Sequence, residues 1–465
     1  MSGSVRMGAA KVNITPPVGT HLGGYGNRQQ PSDDIHDELY AAAYVFDDGD
    51  TTVAVVGADL VDISLERTHA IRRKITAATG IPGSHVMLGM THAHSGPNTK
   101  DWGAGLPGAS VPYPGGIPDE ELTYALPILD HDYLTELENK LAGVVAMAMQ
   151  GFQNVHGGIG TGQYGLAINR RGERNGEVVN CPRPDGLVDH SLPVLRFDND
   201  AGEPAGIIFN YACHPTSMSD NFAISADYPG PARSFVEDVY GNDCVVGFLL
   251  GCHGDIRPNY TDETGRSFRS AIFPELEREG RIMGAEVIKT RERISPRSLE
   301  GVAAASTSIV APFAEPPTAE YLREALETGA FPDTGRRLPF CKARWAQRIL
   351  RQLEAGTLAD GLETELQVIR VGHLVFVGFP GEFFLEYGME TRRRVKEEFG
   401  LDVVHVSMAN DMIGYVASDR EIPRGGYEVG SYQDDELAPA HYRTGTQGLF
   451  VGRALELVSS ILPGA

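Results

Sequence analysis

The sequence predicts an α/β fold in a single large domain. Two apolar runs at 39–46 and 52–58 are typical of strands, and an amphipathic stretch at 64–79 and a third apolar run at 85–90 follow them. Strand, helix and strand in this order form a crossover unit, which favours a sheet with helices on its faces. The chain of 465 residues contains no repeat and no clear linker, so we expect one domain spanning residues 1–465.

The charge balance excludes two classes of partner. The chain carries 40 basic and 62 acidic residues, a net charge of −22, which argues against binding to nucleic acid or to anionic membrane surfaces. No apolar run is long enough to predict a transmembrane helix. The N-terminus lacks the apolar core of a signal peptide, so we expect a cytoplasmic protein, or a secreted one if a signal has been removed. The oligomeric state stays open.

The cysteines indicate a reducing compartment. There are 5 of them, an odd number, scattered along the chain and without a Cys-X-X-Cys pair. Free thiols fit this pattern better than a disulfide framework, and paired thiolates are excluded as metal ligands.

The remaining elements follow from the hydrophobic periodicity. Gly80 ends the first helix, and the Gly- and Pro-rich stretch 98–130 is predicted to be a long loop, either an insertion or the wall of a substrate entrance. Further strands are predicted at 193–198, 205–212, 245–250, 363–371, 373–379 and 402–408. Further helical segments are predicted at 131–150, 228–240, 271–293, 314–357, 382–398 and 445–461.

Two histidines follow the strand predicted at 85–90. His92 and His94 stand two positions apart at its end, where both side chains can reach one point beyond the sheet. Neutral imidazole is a common metal ligand and suits zinc, but two hydrogen-bonded loop histidines would give the same pattern. The position favours a metal site, because ligands in open α/β sheets bind beyond the carboxyl ends of strands.

Other polar residues follow later strands in the same way. They are His214, His253, Asp255, Glu382 and Tyr415. Two histidines and one carboxylate form a zinc site with an open position in many hydrolases. Each residue also has an ordinary interpretation: a core histidine, a core tyrosine, or a glutamate that favours a helix dipole. It is their joint appearance after strands that favours a site.

Several motifs, in this order, resemble the N-terminal catalytic domain of the neutral (non-lysosomal) ceramidases. They are Gly8–Pro16, Thr91–Pro97, Asn169-Arg170, His214–Met218, Gly254–Asn259, Pro380–Phe383 and Gly414–Val416. The resemblance covers nearly the whole chain. It implies mixed β-sheets packed together and flanked by helices.

The resemblance also implies a zinc-dependent amidohydrolase acting on a linear amide. The implied Zn²⁺ ligands are His92, His214, Glu382 and Tyr415. His94 and Arg170 would face the scissile carbonyl. We further expect Asp255 to orient a ligand histidine and His253 to carry a proton to the leaving amine. An ester or lactone hydrolase would use the same parts, and a non-catalytic metal-containing binding protein of this fold is the third hypothesis.

The chain departs from the family pattern at Arg257. The ceramidases carry a serine there, within Gly-Asp-X-Ser-Pro, and we expect neither their immunoglobulin-like C-terminal domain nor their secretion signal in this protein. A guanidinium can hold an anionic group through two parallel hydrogen bonds. The substitution therefore predicts a substrate smaller and more polar than ceramide, although a lipid-like amide stays possible and a surface ion pair would also account for the arginine.

Overall fold

Two β-sheets pack face to face in the computed structural model, which describes residues 4–25, 28, 30–100, 129–219, 221–241, 244–431 and 438–463. The strands in chain order are β1 Arg6–Asn13, β2 Asp34–Ile35, β3 Tyr40–Asp47, β4 Thr52–Ala58, β5 Val86–Met90, β6 Gln153–Gln163, β7 Ala167–Asn169, β8 Glu173–Arg174, β9 Glu177–Val178, β10 Ser191–Asn199, β11 Pro204–Tyr211, β12 Ala223–Ile224, β13 Val245–Leu250, β14 Ile256–Pro258, β15 Arg297–Ser298, β16 Val302–Pro312, β17 Gly361–Val371, β18 Leu374–Gly378, β19 Glu382–Phe383, β20 Asp402–Val406 and β21 Tyr415–Val416. The α-helices are α1 Leu65–Thr79, α2 His131–Gln150, α3 Pro229–Tyr240, α4 Phe273–Arg291, α5 Ala319–Thr328, α6 Phe340–Ala355, α7 Leu385–Phe399, α8 Tyr427–Gly430 and α9 Thr446–Ser460.

Both sheets contain parallel and antiparallel pairs. The first has the order β13-β11-β10-β6-β1-β3-β4-β5, with β15 also paired to β6, and the second has the order β16-β17-β18-β20. The parallel pairs are β4 with β5, β11 with β13, and β18 with β20. The antiparallel pairs include the hairpin of β3 with β4 and the pair of β16 with β17. The predicted mixed α/β architecture is therefore confirmed.

Strand β5 shows how the layers are built. Neighbouring residues of a strand point to opposite faces. Val86 and Leu88 accordingly lie in a core shared with α1 to α4, whereas Met87 lies in a core shared with β17, β18 and β20. Helices α7 and α9 contribute to a further core on the second sheet. A strand buried on both faces must be apolar throughout, which explains the continuous apolar run at 86–90.

Helix α1 lies where the sequence predicted it. The Ser64 side chain accepts a hydrogen bond from the Arg67 N–H at its start, and Gly80 ends it in the left-handed conformation with φ 80°. These are the capping preferences of helices, and they fix the direction in which the chain enters β5. The predicted loop at 98–130 lies largely outside the described residues, since 101–128 are not described.

Two long strands, β6 and β16, were not predicted. Strand β6 is rich in glycine, which lowers its strand propensity. The glycines are explained by packing: a Cβ at Gly158 would lie 2.8 Å from Ile294, and one at Gly162 would lie 2.5 Å from the Thr290 hydroxyl. The end of α4 and the residues after it thus approach the bare backbone of β6. The helix predicted at 382–398 begins only at Leu385, after β19.

Helices α5 and α6 form a hairpin inserted between β16 and β17. They enclose a small core of their own around Leu322, Trp345 and Ile349. The Trp345 indole N–H donates to the carbonyl of Ala438 at 2.9 Å, which ties this hairpin to the C-terminal part of the chain. Among the described residues, no helix has the length and apolarity needed to cross a membrane.

Candidate active site

Four buried side chains converge beyond the strand ends. His92 follows β5, His214 follows β11, His253 follows β13, and Glu382 begins β19. One potential ligand atom from each lies within 4.8 Å of the others. The structure thus brings together three of the four residues implied as metal ligands, and it adds His253 to them.

A strained turn aims the histidines after β5. His92 has φ 60°, a left-handed conformation that is uncommon outside glycine, and its N–H donates to the Leu60 carbonyl at 2.9 Å. Such conformations persist where the surrounding structure fixes them, and they cluster at functional sites. The turn directs His92 and His94 to one point, where their Nε2 atoms lie 3.0 Å apart.

Main-chain carbonyls fix the tautomers of the three clustered histidines. His92 Nδ1 lies 2.6 Å from the Val61 oxygen, His214 Nδ1 lies 2.8 Å from the Ile256 oxygen, and His253 Nδ1 lies 3.0 Å from the Gly251 oxygen. Because a carbonyl only accepts hydrogen bonds, each Nδ1 carries a proton, and the Nε2 of each ring in its neutral form presents a lone pair. The Nε2 of His253 is buried without a hydrogen-bond partner. Three lone pairs therefore point into one space.

Glu382 supplies the negative charge of the cluster. Its Oε2 lies 2.8 Å from His214 Nε2 and 3.4 Å from His92 Nε2. Burial alone would raise the pKa of this carboxyl, but His92, His253 and Arg170 favour the charged form and lower it to about 2. An imidazole nitrogen and a carboxylate oxygen approach this closely only with a proton or a metal cation between them. Imidazole nitrogens with one carboxylate form a donor set that Zn²⁺ accepts.

Tyr415 lies beside this cluster. It pairs with Glu382 through β19 and β21, and its ring centre lies 6.2 Å from that of His214. The Arg170 guanidinium carbon lies 5.1 Å from the Tyr415 ring centre. Burial raises the pKa of the Tyr415 phenol well above its ordinary value, and the neighbouring Arg170 opposes that rise. The tyrosine implied as a ligand is thus adjacent to a cation that favours its phenolate.

Asp255 and His253 have surroundings that differ from those expected. The Asp255 carboxylate accepts hydrogen bonds from the Leu385 N–H at 2.9 Å and from Asn169 at 3.0 Å, at the start of α7. Backbone carbonyls orient the histidines in its place, so its geometry favours a helix-anchoring role over the expected orienting role. His253 is fully buried inside the cluster, and burial holds its pKa well below the ordinary value. That position makes His253 a candidate ligand beside Tyr415, and the expected role as proton carrier stays a prediction.

A glycine-containing loop covers His94. The Tyr25 ring packs edge-on against the His94 ring with centres 4.7 Å apart. Gly24 has φ +83°, and a Cβ there would lie 2.5 Å from His94 Cγ. Only glycine allows the chain to pass this close to the imidazole. Burial lowers the pKa of His94 well below its ordinary value, so this ring is neutral.

Arg257 lies next to the site and not on an exposed surface. Its backbone pairs with Ile168 through β14 and β7, and its guanidinium carbon lies 4.1 Å from the Phe268 ring centre. Its Nε is buried without a hydrogen-bond partner, and it forms no ion pair with any residue that the structure describes. The interpretation of Arg257 as a surface ion pair is therefore wrong.

Glu428 was not predicted from the sequence. Its side chain is 1% exposed, with Oε1 at 2.9 Å from Arg170 Nε and Oε2 bonded to Arg171. The adjacent arginines at 170 and 171 were the available signal, because two buried guanidinium groups require buried carboxylates. Neither helical nor strand periodicity singles out Glu428 as their partner.

The chain is similar in sequence to the neutral ceramidases. The family model of the neutral/alkaline non-lysosomal ceramidases, N-terminal, matches residues 5–102. The neutral ceramidase of Pseudomonas aeruginosa is 25% identical, over 97% of this chain and 72% of its own length. The resemblance to the neutral ceramidases is confirmed. The neutral ceramidase of Mycobacterium tuberculosis is 24% identical over 88% of this chain and 70% of its own length.

The fold is also that of a neutral ceramidase. The crystal structure of the Pseudomonas aeruginosa neutral ceramidase matches with a TM-score of 0.69 and 20% identity, covering 100% of this chain and 76% of the other. A structure of a ceramidase complexed with C2 matches with a TM-score of 0.71 and covers 99% of this chain. The fold implied by the sequence motifs is thus found over the whole length.

Proposed function

We propose that this protein is a zinc-dependent hydrolase that cleaves the C–N amide bond of an N-acyl compound. The observation that carries the proposal is the buried cluster of His92, His214, His253 and Glu382, with Nε2 lone pairs turned towards one carboxylate. Its relatives are named neutral ceramidases, which supports an amide substrate. A substrate smaller and more polar than ceramide is the finer part of the proposal and follows from Arg257.

The residues fit a metal ion. His92, His214 and Glu382 would hold it, and His253 and Tyr415 are the two candidates for the fourth position. A zinc ion there would act as a Lewis acid and lower the pKa of bound water from about 15.7 towards about 7. The carbonyls on each Nδ1 keep the ligand rings in place before any ion binds, which reduces the cost of ordering them.

His94 and Arg170 are the candidate oxyanion donors. Because neutral His92 carries its proton on Nδ1, its Nε2 only accepts, so His94 presents an N–H on Nε2. This N–H would be left free for a substrate oxygen when a metal ion takes the His92 lone pair. Arg170 stays charged, since Tyr415, Glu428 and Glu382 raise its pKa in spite of burial. Fixed donors in a site that excludes water stabilise the negative charge that develops on a carbonyl oxygen.

Elemental analysis of the purified full chain tests the metal. We expect about one zinc per chain, lost in His214→Ala and kept in His156→Ala, a control histidine that is exposed and paired with Asp200. Comparison of His253→Ala with Tyr415→Phe identifies the fourth ligand, because only the variant lacking a ligand loses affinity. No zinc in the purified protein and none taken up on reconstitution would refute the proposal.

Turnover tests the reaction. Zinc-loaded protein is offered matched N-acyl amides, esters and lactones, since an ester or lactone hydrolase would use the same groups. We expect release of amine from the amides. Hydrolysis of the esters and lactones alone would identify the protein as an ester or lactone hydrolase. A zinc-loaded protein that turns over none of the three compound classes would be a binding protein.

A further inference from the structure

Three arginines, Arg28, Arg170 and Arg257, lie near the candidate centre, and they differ in their partners. Arg170 and Arg171 share the carboxylate of Glu428, and Arg28 donates to the carbonyl of His94. Other buried carboxylates at the centre are Glu382, which faces the histidines, and Asp62, which accepts from Thr99. Arg257 pairs with no carboxylate among the described residues. A buried charge without an opposite partner is costly, so its position favours an anion supplied from outside the chain.

Arg257 has donors available for such an anion. Strand pairing fixes its backbone, and stacking on Phe268 occupies one face of its guanidinium. The N–H groups along the edge of the plane remain, and Nε is buried without a partner. Burial lowers the pKa of this group, with Arg170 acting in the same direction and the phenols of Tyr25 and Tyr415 opposing it. The guanidinium therefore interacts electrostatically with Tyr25, which packs on His94, and with Arg170 and Tyr415, which lie beside the histidine cluster.

Arg28 contributes charge but few free donors. Its guanidinium donates to the carbonyls of Gly23 and Asn221, at 2.8 and 3.2 Å, and to the carbonyl of His94. Its guanidinium carbon lies 4.8 Å from the Tyr25 ring centre, and burial lowers its pKa to about 10, so it remains a cation at neutral pH. Arg28 thus binds the loop over His94 and adds a positive field there.

We propose that Arg257, supported by the charge of Arg28, forms a carboxylate-binding subsite beside the candidate centre, and that the substrate is an amide with a carboxylate near its scissile carbonyl. This inference rests on the proposed amidohydrolase function and names its substrate class. A planar carboxylate matches the two parallel N–H groups of a single guanidinium. A phosphate dianion would call for more donors than this one side chain offers.

Two matched pairs of substrates test the subsite on the zinc-loaded full chain. N-hexanoylglycine and neutral N-hexanoylglycinamide differ only in a carboxylate on the amine side, and N-hexylsuccinamic acid and N-hexylsuccinamide differ only on the acyl side. We expect kcat/KM to favour the acid in at least one pair, which also identifies the side. Arg257→Met should lower kcat/KM for that acid by about a hundredfold and for its neutral partner by less than about threefold, as for a buried charge pair that loses one member.

Two further variants distinguish the effect of the charge of Arg257 from a general effect of substitution on the structure. Arg257→Lys should restore part of the preference, because an ammonium keeps the charge without the two-point contact. Arg269→Met is the matched control: this arginine is exposed, paired with Glu275 at 2.7 Å, and should leave the preference unchanged. Equal losses for acid and amide in Arg257→Met would overturn the proposal, because the arginine would then not distinguish the two substrates.

Different results would refute the proposed subsite and the proposed enzymatic function. Neutral amides or ceramide turned over as well as the acids would refute the subsite and leave the amidohydrolase intact. If no amide is turned over, calorimetric titration with N-hexanoylglycine and its amide decides: tighter binding of the acid that is lost in Arg257→Met supports the subsite, and equal binding of the two refutes it.

Discussion

Replacement of Glu428 by glutamine tests whether Glu428 positions Arg170, because the variant keeps Arg170 and removes only the charge of its partner. The variant keeps the shape of the side chain and removes its charge. Arg171 retains Glu421, whose Oε2 lies 3.0 Å from its Nε, and the Gly425 carbonyl. Arg170 loses the carboxylate with which it pairs at 2.9 Å. The replacement therefore acts mainly on the guanidinium that faces Tyr415.

The magnitude follows from the contacts. Leaving a buried guanidinium without its charged partner costs about 2 kcal/mol of unfolding free energy, and glutamine retains one acceptor oxygen. Removing an oxyanion donor outright lowers kcat by about 10²- to 10³-fold, which we expect for Arg170→Ala. Glu428→Gln acts through that donor, so we expect a loss in kcat of about tenfold, little change in KM and unchanged zinc content.

The assay is a double-mutant cycle on zinc-loaded protein. If Glu428 acts through Arg170, adding Glu428→Gln to Arg170→Ala lowers kcat no further. Glu177→Gln is the control, since it removes a carboxylate paired with the exposed Arg336. Independent, multiplying losses in the double variant would refute the positioning role, as would loss of zinc from Glu428→Gln alone.

Two further predictions concern glycine and pH. Gly24→Ala should cost about 1 kcal/mol or more from its positive φ and should also lower kcat by displacing His94, whereas Gly19→Ala, with φ +98° but open space around a Cβ, should lower stability alone. Equal kcat in both variants would contradict this reasoning. Burial lowers the pKa of His405, which accepts a hydrogen bond from the Cys252 N–H, from 6.5 to about 3. Below pH 6.5 the unfolded chain therefore binds a proton that the folded chain does not, and stability should fall towards pH 3 by up to about 1.4 kcal/mol per pH unit. Urea unfolding of His405→Gln should show a shallower decline, and an unchanged slope would refute this assignment.

The order of secondary structure was determined by the sequence itself. Hydrophobic periodicity placed β3, β4, α1 and β5 within about one residue of their bounds, because burial on one or two faces imposes a local pattern. The polar residues that follow predicted strands were candidates for a site, since ligands bind beyond strand ends: His92, His94, His214, His253, Asp255, Glu382 and Tyr415. The resemblance to the ceramidases, and not the strand pattern, selected four of them as implied ligands. Recognition of the ceramidase motifs rested on such short local segments as well.

Only the tertiary structure decided which groups meet. It placed His253 among the candidate ligands, because the carbonyl of Gly251 turns its Nε2 inward. It bound Asp255 to the start of α7, and it paired Arg170 with Glu428 from a distant part of the chain. Strand β6 was not predicted because its glycines lower the strand propensity of its sequence. The helix whose packing explains these glycines lies far from β6 in the sequence. Contacts between residues far apart in sequence leave no periodic pattern, since they depend on how whole elements pack.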